Sequence, residues 1–582
     1  MLRKHSQAST DKKRPLGMTE RSLGRTPTVD VACAKEVAEL MGQHQLSAVQ
    51  FRYTAGLDAL AKQHVSSFAK LVDRNRLAPG RTITVGTACT GSAADKFSFE
   101  AMEKAFQTEV PGFRIRFVFN CEIVTWKQQF IRRIHLGYAA SEDELKGDPT
   151  SSEPCMFGDI VLLGGADAHC YTHGGKCPVQ GVDLFVVCTS CKDYSKANST
   201  LRVGHVITQQ TSTGGSAQTL RGMLDYIDAH RPGMIIFENV DAIDDSVRTD
   251  LAGLGGKSEF SDMDLICAEW ANRGYEAQRV HVNTESFGLP TVRRRLVASG
   301  VLTIANPSLC FKERDTQAVF RTMRSLLGVC PRRCASAADY ILPQYDTAVE
   351  RELQRRVAKG AKNVPYNIGN AMKAASGLGV KWGTFPPQQA LAQSPWYMTL
   401  TAEQRDALCF SLHYHPNPLL LRDCGQSLNR VRVSTIDVKK NHLAPTMMPK
   451  QLCMVFDQVQ PPRLLLGRES LWVQGFPIGD EDVSHILDTV SEAHLADLAG
   501  NMVSTPVFLG LVMASIAALP WRSTEASATE LSATSKGENE NAMDSFALCA
   551  GLPLPPPPPQ QSSAGGPLLR RFKAARSGLG PS

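Results

Sequence analysis

The sequence predicts an α/β fold in which helices cover both faces of a mostly parallel sheet. Apolar β-type runs alternate with helical patterns between residues 82 and 301, and this alternation is typical of βαβ units. The composition, with 43% apolar and 21% charged residues, is that of a globular protein. A chain of 582 residues has room for roughly two to four domains.

The elements follow in order along the chain. Strands are predicted at 82–86, 117–122, 159–164, 183–189, 234–238, 277–282 and 296–301. Helical periodicity lies between several of them, at 93–106, 127–136, 219–230 and 263–273, and an earlier helical pattern covers 31–71.

Changes in composition suggest five regions. Residues 1–78 form a basic start followed by a helical segment, and 79–305 form the main α/β domain. The βαβ alternation is lost over 306–455, which we predict to be a smaller inserted domain, and 456–522 return to the main domain. The tail 523–582 is low in complexity, with a run of five prolines at 555–559, and is predicted to be disordered.

The remaining bulk features concern the environment of the protein. The apolar segment 503–519 is short for a bilayer span and is predicted to be a core helix, so no membrane partner is expected. Sixteen cysteines follow no repeating framework, which favours a reducing compartment. Seven Lys or Arg among the first 25 residues fit a solvated start, a nuclear address or an organelle transit peptide.

Positive charge is concentrated in one region. Residues 306–455 contain 20 Lys or Arg and 10 Asp or Glu, so they carry +10, whereas the whole chain carries +6. Such an excess favours binding to a polyanion, because cations set against phosphates release condensed counterions. Over 349–362 the alternative is a helix with a solvated charged face. The region as a whole points to nucleic acid.

A cysteine follows the most apolar strand. The segment 183–195 runs from a buried strand into a polar loop that contains Cys191, at the sheet edge where α/β proteins bind ligands. We expect Cys188 to be structural and Cys191 to be exposed and reactive, with Lys192 helping to hold the thiolate. Zinc binding or redox chemistry by this CxxC pair is the less favoured alternative, since no second CxxC matches it.

Two further motifs bring charge to strand ends. Glu238 ends an apolar strand, where low dielectric would raise the pKa of its carboxyl and suit it to donate or share a proton. In the segment 288–297, alternation along the strand puts Arg293 and Arg295 on one face and Arg294 on the other.

The order of these motifs resembles that of the DNA (cytosine-5) methyltransferase family over roughly residues 80–305 and 456–520. Cys191, Glu238-Asn239-Val240 and Thr291-Val-Arg293-Arg-Arg295 resemble the family's cysteine loop, Glu-Asn-Val and Gln-x-Arg-x-Arg motifs. Later segments, at 463–477 and 498–503, are similar to its Gly-Phe-Pro and closing Gly-Asn motifs. The basic region then lies where the family has its target-recognition domain. The chain departs from the family at Ser190 (proline in the family), Lys192 (glutamine) and Thr291 (glutamine).

The resemblance implies a Rossmann-like fold that binds S-adenosylmethionine as its cofactor. The residues that it assigns to the cofactor lie in four places: the loop after the first strand, the acid at the end of the second strand, the start of the third, and the closing motif. They are Ala88, Thr90, Gly91, Ser92, Glu122, Asp159, Ile160 and Asn501. Backbone amides of a small-residue loop can approach such a cofactor closely.

The resemblance also implies a reaction, the transfer of a methyl group to C5 of cytosine in DNA. Cys191 would add to C6, Glu238 would bind N3, and Arg293 and Arg295 would orient the flipped-out nucleotide. Two alternatives stay open: a tRNA cytosine-5 methyltransferase, so that RNA is also a possible partner, and a catalytically silent nucleic-acid-binding relative. A nucleus, or an organelle given the basic start, is the expected location.

One more cluster of ligand-type residues stands apart from these motifs. His169, Cys170, His173 and Cys177 follow one another in a glycine-containing loop. These residue types suit zinc, but the spacing is unusual for a zinc site. No metal site is therefore predicted from the sequence.

Overall fold

The structure is a computed structural model of the chain. It describes residues 50–68, 81–195, 204–208, 215–248, 257–303, 316–330, 336–361, 367–377, 379, 381–382, 389–414, 420–425, 443–449, 451–456 and 461–521. Residues 1–49 of the predicted N-terminal region 1–78, and the whole predicted tail 523–582, lie outside these residues.

Helices and short strands make up most of the described chain. The α-helices are α1 Thr54–Phe68, α2 Ala94–Gln107, α3 Thr125–Leu136, α4 Ser216–His230, α5 Asp262–Asn272, α6 Thr316–Gly328, α7 Thr347–Lys359, α8 Ile368–Gly377, α9 Gln389–Ala392, α10 Pro395–Met398, α11 Ala402–Tyr414, α12 Gly467–Trp472, α13 Glu481–Asp488, α14 Glu492–Asn501 and α15 Thr505–Ala518. The strands are β1 Thr82–Ala88, β2 Arg114–Cys121, β3 Cys155–Phe157, β4 Asp167–Cys170, β5 Gly175–Pro178, β6 Leu184–Val187, β7 Met234–Val240, β8 Ser246–Arg248, β9 Lys257–Ser261, β10 Tyr275–Asn283, β11 Arg294–Leu302, β12 Leu421–Asp423, β13 Cys453–Val455 and β14 Arg463–Leu464.

Nine of these strands form one sheet in the order β10-β11-β7-β6-β1-β2-β3-β4-β5. The five strands from β7 to β3 run parallel, while β11, β10 and the β4–β5 hairpin pair antiparallel at the two sides. Alternate residues of β6 enter two separate apolar clusters, Leu184 and Val186 on one face and Phe185 and Val187 on the other. This is the mostly parallel sheet with two covered faces that the sequence predicts.

One predicted strand is wrong. Residues 159–164 form a 3₁₀ helix, Ile160–Gly164, because the Asp159 carboxylate caps it by accepting the backbone N–H of Val161 at 3.1 Å. The strand of this unit is the short β3, a few residues earlier. Helix α4 packs closely on the turn, since a Cβ at Gly222 would lie 2.8 Å from the backbone carbon of Ile160.

The long apolar segment is a core helix, as predicted. Every residue of α15 is buried, and Phe508 packs edge-on against Phe99 of α2. Among the described residues, one helical segment, Glu492–Ala518, is long and apolar enough to cross a membrane, but 94% of its most apolar window is buried inside the protein.

The basic region is predominantly helical where the structure describes it, from α6 to α11. One of its later segments, 443–449, lies against the turn that precedes β11: Thr291 bridges to Ala444, and the Thr291 hydroxyl donates to the Pro445 carbonyl at 3.1 Å. A buried ion pair joins Arg463 to Glu469, and Arg463 also donates to the Leu342 carbonyl at 2.7 Å. The region boundaries given above stay predictions.

Candidate active site

The site lies along the edge of the sheet where the parallel strands end. Strand β1 leads into the loop 89–93, β2 into Glu122, β6 into Cys191, and β7 carries Glu238. Because the carboxyl ends of parallel strands meet at one edge, residues far apart in sequence come together here.

Hydrogen bonds to helix α4 fix the Cys191 loop. The backbone N–H of Ser190 donates to the Thr219 hydroxyl at 3.0 Å, and Asp193 exchanges two hydrogen bonds with Ser216. Within the loop, the backbone N–H groups of Tyr194 and Ser195 donate to the Cys191 carbonyl. These contacts restrain the loop although it has Ser190 where the family has proline.

Cys191 is half-buried rather than exposed, and Cys188 is buried as expected. Burial raises the pKa of the Cys191 thiol, and the Glu238 carboxylate raises it further. The nearby guanidinium groups of Arg295 and Arg293 oppose the rise. The cations that favour the thiolate are therefore these two arginines, and Lys192 is exposed.

Glu238 and Arg295 form an ion pair at the centre of the site. The Arg295 Nε lies 2.9 Å from the Glu238 Oε1, and the two side chains are only 15% and 12% exposed. The antiparallel register of β11 with β7 brings them together, because Val297 pairs with Glu238. The apolar strand that precedes Glu238 predicts low-dielectric surroundings and gives no sign of this partner.

Arg293 lines the same cavity as Glu238 and Arg295, but its side chain is held by backbone groups. It is 2% exposed, and its guanidinium donates to the carbonyls of Met447, Gly500 and Met502 at 2.7–3.2 Å. The side chain thus joins the strand, the end of the basic region and the closing motif, and burial lowers its pKa. Arg293 therefore holds these three segments together beside the site.

The loop after β1 is shaped for a close approach. Ala88 ends the strand fully buried, Thr90 and Ser92 are buried, and Gly91 has a φ of +80° that favours glycine. A Cβ on Gly91 would lie 3.4 Å from the backbone oxygen of Asn501. The structure therefore brings together the first and last cofactor motifs, which are 410 residues apart in the sequence.

Acidic groups collect beside this loop. Glu122 is 7% exposed, and burial raises the pKa of its carboxyl, with Lys127 opposing the rise. Both Glu122 and Asp159 act on the Cys89 thiol, whose pKa is raised by burial and by these two charges. Glu122 and Asp159, the two acids predicted to bind the cofactor, therefore both lie near the Cys89 thiol. The Lys127 ammonium is 2.9 Å from the carboxylate of Asp497, which offsets part of the negative charge.

Ile160, one of the residues that the resemblance assigns to the cofactor, is buried in the core. Ile160 is 3% exposed and belongs to the apolar cluster beneath the sheet edge. In contrast, Ile123, which directly follows Glu122, is 68% exposed, and Leu162 is 51% exposed. An isoleucine directly after the acid that ends the second strand is the sequence signal that could have identified Ile123 as a candidate contact.

Asp95 was also missed in the sequence analysis. It is 2% exposed at the start of α2, and burial raises the pKa of its carboxyl to about 6. Its side chain is bonded to Thr90 and also raises the pKa of the Cys188 thiol. One aspartate in a helical run carries no sequence signal of its own, so only the fold reveals that it adds negative charge here.

A half-buried thiol, an ion-paired carboxylate and a small-residue loop thus meet at one edge of a doubly covered α/β sheet, where proteins of this class bind their ligands. The family model for C-5 cytosine-specific DNA methylases matches residues 167–509, more than half of the chain. The chain belongs to this family.

One curated relative and two solved structures illustrate the likeness. The chain is 24% identical over 493 residues to the DNA (cytosine-5-)-methyltransferase DMT5 of Cryptococcus neoformans, a match that covers 79% of this chain and 18% of that protein. The chain thus spans less than a fifth of the relative's length. Solved structures include the Dnmt2 methyltransferase of S. pombe (12% identity, TM-score 0.34, covering 74% of this chain and 97% of that one). A putative DNA modification methyltransferase from an E. coli prophage has 14% identity and a TM-score of 0.36, covering 74% and 98%.

Proposed function

We propose that this chain transfers a methyl group from S-adenosylmethionine to C5 of cytosine in DNA through a covalent adduct on Cys191. The observation that carries the proposal is the cluster of Cys191, Glu238 and Arg295 at the carboxyl edge of the sheet. The Glu238–Arg295 ion pair, at 2.9 Å, lies close enough to Cys191 for both charges to affect the pKa of its thiol. The chemistry needs these groups together, because C5 of cytosine becomes nucleophilic only when C6 is attacked.

The ion pair is complementary to one edge of cytosine. Cytosine offers an amino donor at N4 and a carbonyl acceptor at O2. The Glu238 carboxylate is an acceptor for the N4 amino group or a protonated N3, and Arg295 supplies guanidinium donors for O2. A uracil or thymine ring has an acceptor at position 4, which would face the carboxylate unfavourably. We therefore assign base selection to Glu238 and Arg295.

The acidic side of the edge suits the cofactor. S-adenosylmethionine, when bound, supplies the electrophilic methyl group and brings a sulfonium cation and ribose hydroxyls. Glu122 would accept from the ribose hydroxyls, Asp159 would accept from the adenine amino group, and Ile123 would cover an apolar face of the ring. The backbone of Thr90–Ser92, next to Ala88 and Asn501, would cradle the methionine end. The φ of +80° at Gly91 fits this cradle, because residues with a side chain rarely adopt that backbone conformation.

The residues of the chain then act in sequence. Cys191 adds as thiolate to C6, the proton that the thiol gave up reaches N3, and the Glu238 carboxylate accepts a hydrogen bond from the N3–H. C5 then takes the methyl group with release of S-adenosylhomocysteine, and N3 gives its proton back when the thiolate leaves. A base then removes the C5 proton, and the thiolate leaves with the electrons of the C6–S bond. The target nucleotide must leave the duplex to reach the site.

DNA is the proposed substrate because of the charge of the basic region. Part of that charge is used inside the protein: Arg355 and Arg356 pair with Glu352, and Arg351 pairs with Asp488. On α6, Arg321 and Arg324 are exposed and are candidates for phosphate contacts. For residues 349–359 the ion pairs favour the charged-helix alternative.

The test is the transfer of labelled methyl groups to duplex DNA and to tRNA, together with trapping on a 5-fluorocytosine oligonucleotide. We expect label in DNA and a covalent adduct, both lost in Cys191→Ser and kept in Cys267→Ser, which removes a half-buried thiol on α5. Label in tRNA alone would replace DNA by RNA as substrate. Binding of DNA without an adduct would favour the silent relative, and an active Cys191→Ser variant would overturn the assignment of the nucleophile.

A further inference from the structure

Four metal-ligand side chains converge at the side of the sheet away from the catalytic cysteine. They are Cys155 on β3, Cys170 on β4, His173 in the hairpin turn, and Cys177 on β5. One ligand atom from each lies within 4.8 Å of all the others. The sulfur atoms of Cys155, Cys170 and Cys177 lie 3.6, 3.1 and 3.4 Å from the Nδ1 of His173.

We propose that these four side chains bind one structural Zn²⁺ ion. Zinc in a tetrahedral site lies about 2.3 Å from sulfur and about 2.0–2.1 Å from nitrogen. Those bond lengths place sulfur and nitrogen about 3.6 Å apart, and two sulfurs about 3.8 Å apart. The three observed sulfur–nitrogen separations, 3.1–3.6 Å, lie at or slightly below the expected value, and all four ligand atoms lie within 4.8 Å of one another. Three thiolates and one imidazole, with no position left for water, are the ligand set of a closed structural zinc site.

Hydrogen bonding alone does not account for the arrangement. A neutral imidazole has one acceptor nitrogen with one lone pair, so it can accept from one thiol and not from three. The second ring nitrogen, Nε2, lies 3.2 Å from the carbonyl oxygen of Ser151, and an N–H there would donate to it. This leaves the Nδ1 lone pair directed at the three sulfurs, and ligating histidines are typically oriented by such a bond from their other nitrogen.

The backbone holds the ligands in place independently of the metal. The N–H of Gly174 closes the turn by donating to the Cys170 carbonyl at 2.9 Å, and Gly174 has a φ of +69°. The turn is pressed onto Gly147, where a Cβ would lie 2.2 Å from the Gly174 Cα. Cys170 pairs with both Phe157 and Gly175, so the register fixes the hairpin beside β3.

The structure selects different ligands from those that the sequence run offers. His169, the first residue of the run, is exposed, and its ring packs edge-on against Tyr171. The fourth ligand is Cys155, which precedes the run and reaches the site because β3 lies next to β4. Sequence spacing alone could not identify this partner.

The metal would join the hairpin to the strand that leads to Asp159. Tyr171, between two of the ligands, packs closely on Gly158, where a Cβ would lie 2.9 Å from its ring. The N–H of Tyr171 also donates to the Met156 carbonyl at 2.8 Å. Zinc would therefore stabilise this side of the sheet without contacting the reacting atoms.

The test is to measure the zinc content of the full chain. The protein is purified without chelators, so that bound zinc is kept, and is then passed over a chelating resin to remove loosely bound metal. We expect about one zinc per chain by elemental analysis and a matching mass difference between native and denaturing mass spectra. Cys155→Ser and Cys177→Ser should lose the zinc, while the matched control His169→Ala, a histidine of the same run, should keep it. Retention in Cys155→Ser with loss in His169→Ala would overturn the ligand set.

Measurements on the unmodified chain test the proposal even if the cysteine variants fail to fold. Growth with cobalt in place of zinc should give the visible absorption of tetrahedral Co²⁺ and a thiolate charge-transfer band. A mercurial that blocks thiols should release zinc to a colorimetric chelator. Metal-free protein with all sixteen cysteines reduced, or a mapped disulfide among Cys155, Cys170 and Cys177, would overturn the proposal.

Discussion

The two sides of the site differ in how their charges are balanced. On the side of β6, β7 and β11, Glu238 has Arg295 as a partner at 2.9 Å, and Arg293 adds a second cation. On the side of β1, β2 and β3 lie the acids Asp95, Glu122 and Asp159, and Lys127, which opposes the pKa rise of Glu122, is also paired with Asp497. Paired charges favour binding of an uncharged nucleobase, and an excess of negative charge favours binding of a positively charged cofactor.

The largest effect is expected from breaking the balanced pair. In Glu238→Gln we expect the rate of methyl transfer to fall by roughly 10³-fold, because stabilisation at N3 is lost. The same change removes a charge that raises the pKa of the Cys191 thiol. Alkylation of Cys191 at pH 7.5 should therefore become faster while methylation almost stops, as measured by peptide mass mapping and by label transfer.

Arg295→Gln changes the other partner of the ion pair and should have the opposite effect on the reactivity of the Cys191 thiol. It also removes a contact to the base, but it removes a cation that favours the thiolate, so alkylation of Cys191 should become slower. If the two substitutions changed the alkylation rate in the same direction, the electrostatic account of this side would be wrong. For the unmodified chain, alkylation should rise with pH through and above neutrality, because burial raises the pKa of the thiol.

The next effect separates two arginines of one motif. Arg293→Met leaves the carbonyls of Met447, Gly500 and Met502 without their buried donor, so we expect the free energy of unfolding to fall by about 3 kcal/mol. Chemical denaturation measures this loss. Arg294→Gln, on the exposed position between them, should change neither stability nor activity.

Arg295→Gln completes this series, because it should lose activity with a much smaller change in stability. If Arg293→Met were as stable as the unmodified chain but inactive, Arg293 would be assigned to substrate contact instead of positioning. The present contacts favour positioning, since all three of its recorded side-chain bonds end on backbone carbonyls.

The sequence predicted the framework of the site better than its contacts. Strand alternation places Cys191 and Glu238 at one edge because parallel strands all end there. The Glu238–Arg295 pair depends on the antiparallel register of β11 with β7, and no local pattern encodes that register. The proposed zinc ligand Cys155 was missed for the same reason, since it joins Cys170, His173 and Cys177 through strand pairing. Burial of Ile160 depends on the close packing of α4, which a short apolar run does not predict.

The smallest effect tests the unbalanced side. Burial raises the pKa of Asp95 to about 6 from its ordinary 3.8, so ionising it costs the folded state stability as pH rises. The full cost, about 3 kcal/mol, applies above pH 6 and disappears below the unfolded pKa. Asp95→Asn should therefore gain stability relative to the unmodified chain at pH 8, by about 1–3 kcal/mol, and the gain should shrink toward pH 4. Denaturation at both pH values measures it.

The same variant should bind S-adenosylmethionine more weakly at pH 8, because one of the negative charges that favour the sulfonium cation is gone. S-adenosylhomocysteine, which lacks the sulfonium charge, is the matched ligand, and its affinity should change less. Equal losses for both ligands would mean that Asp95 acts by shaping the loop through Thr90 rather than by its charge. A stability gain that did not depend on pH would contradict the assigned ionisation, since only a titrating carboxylate loses its cost as protons bind.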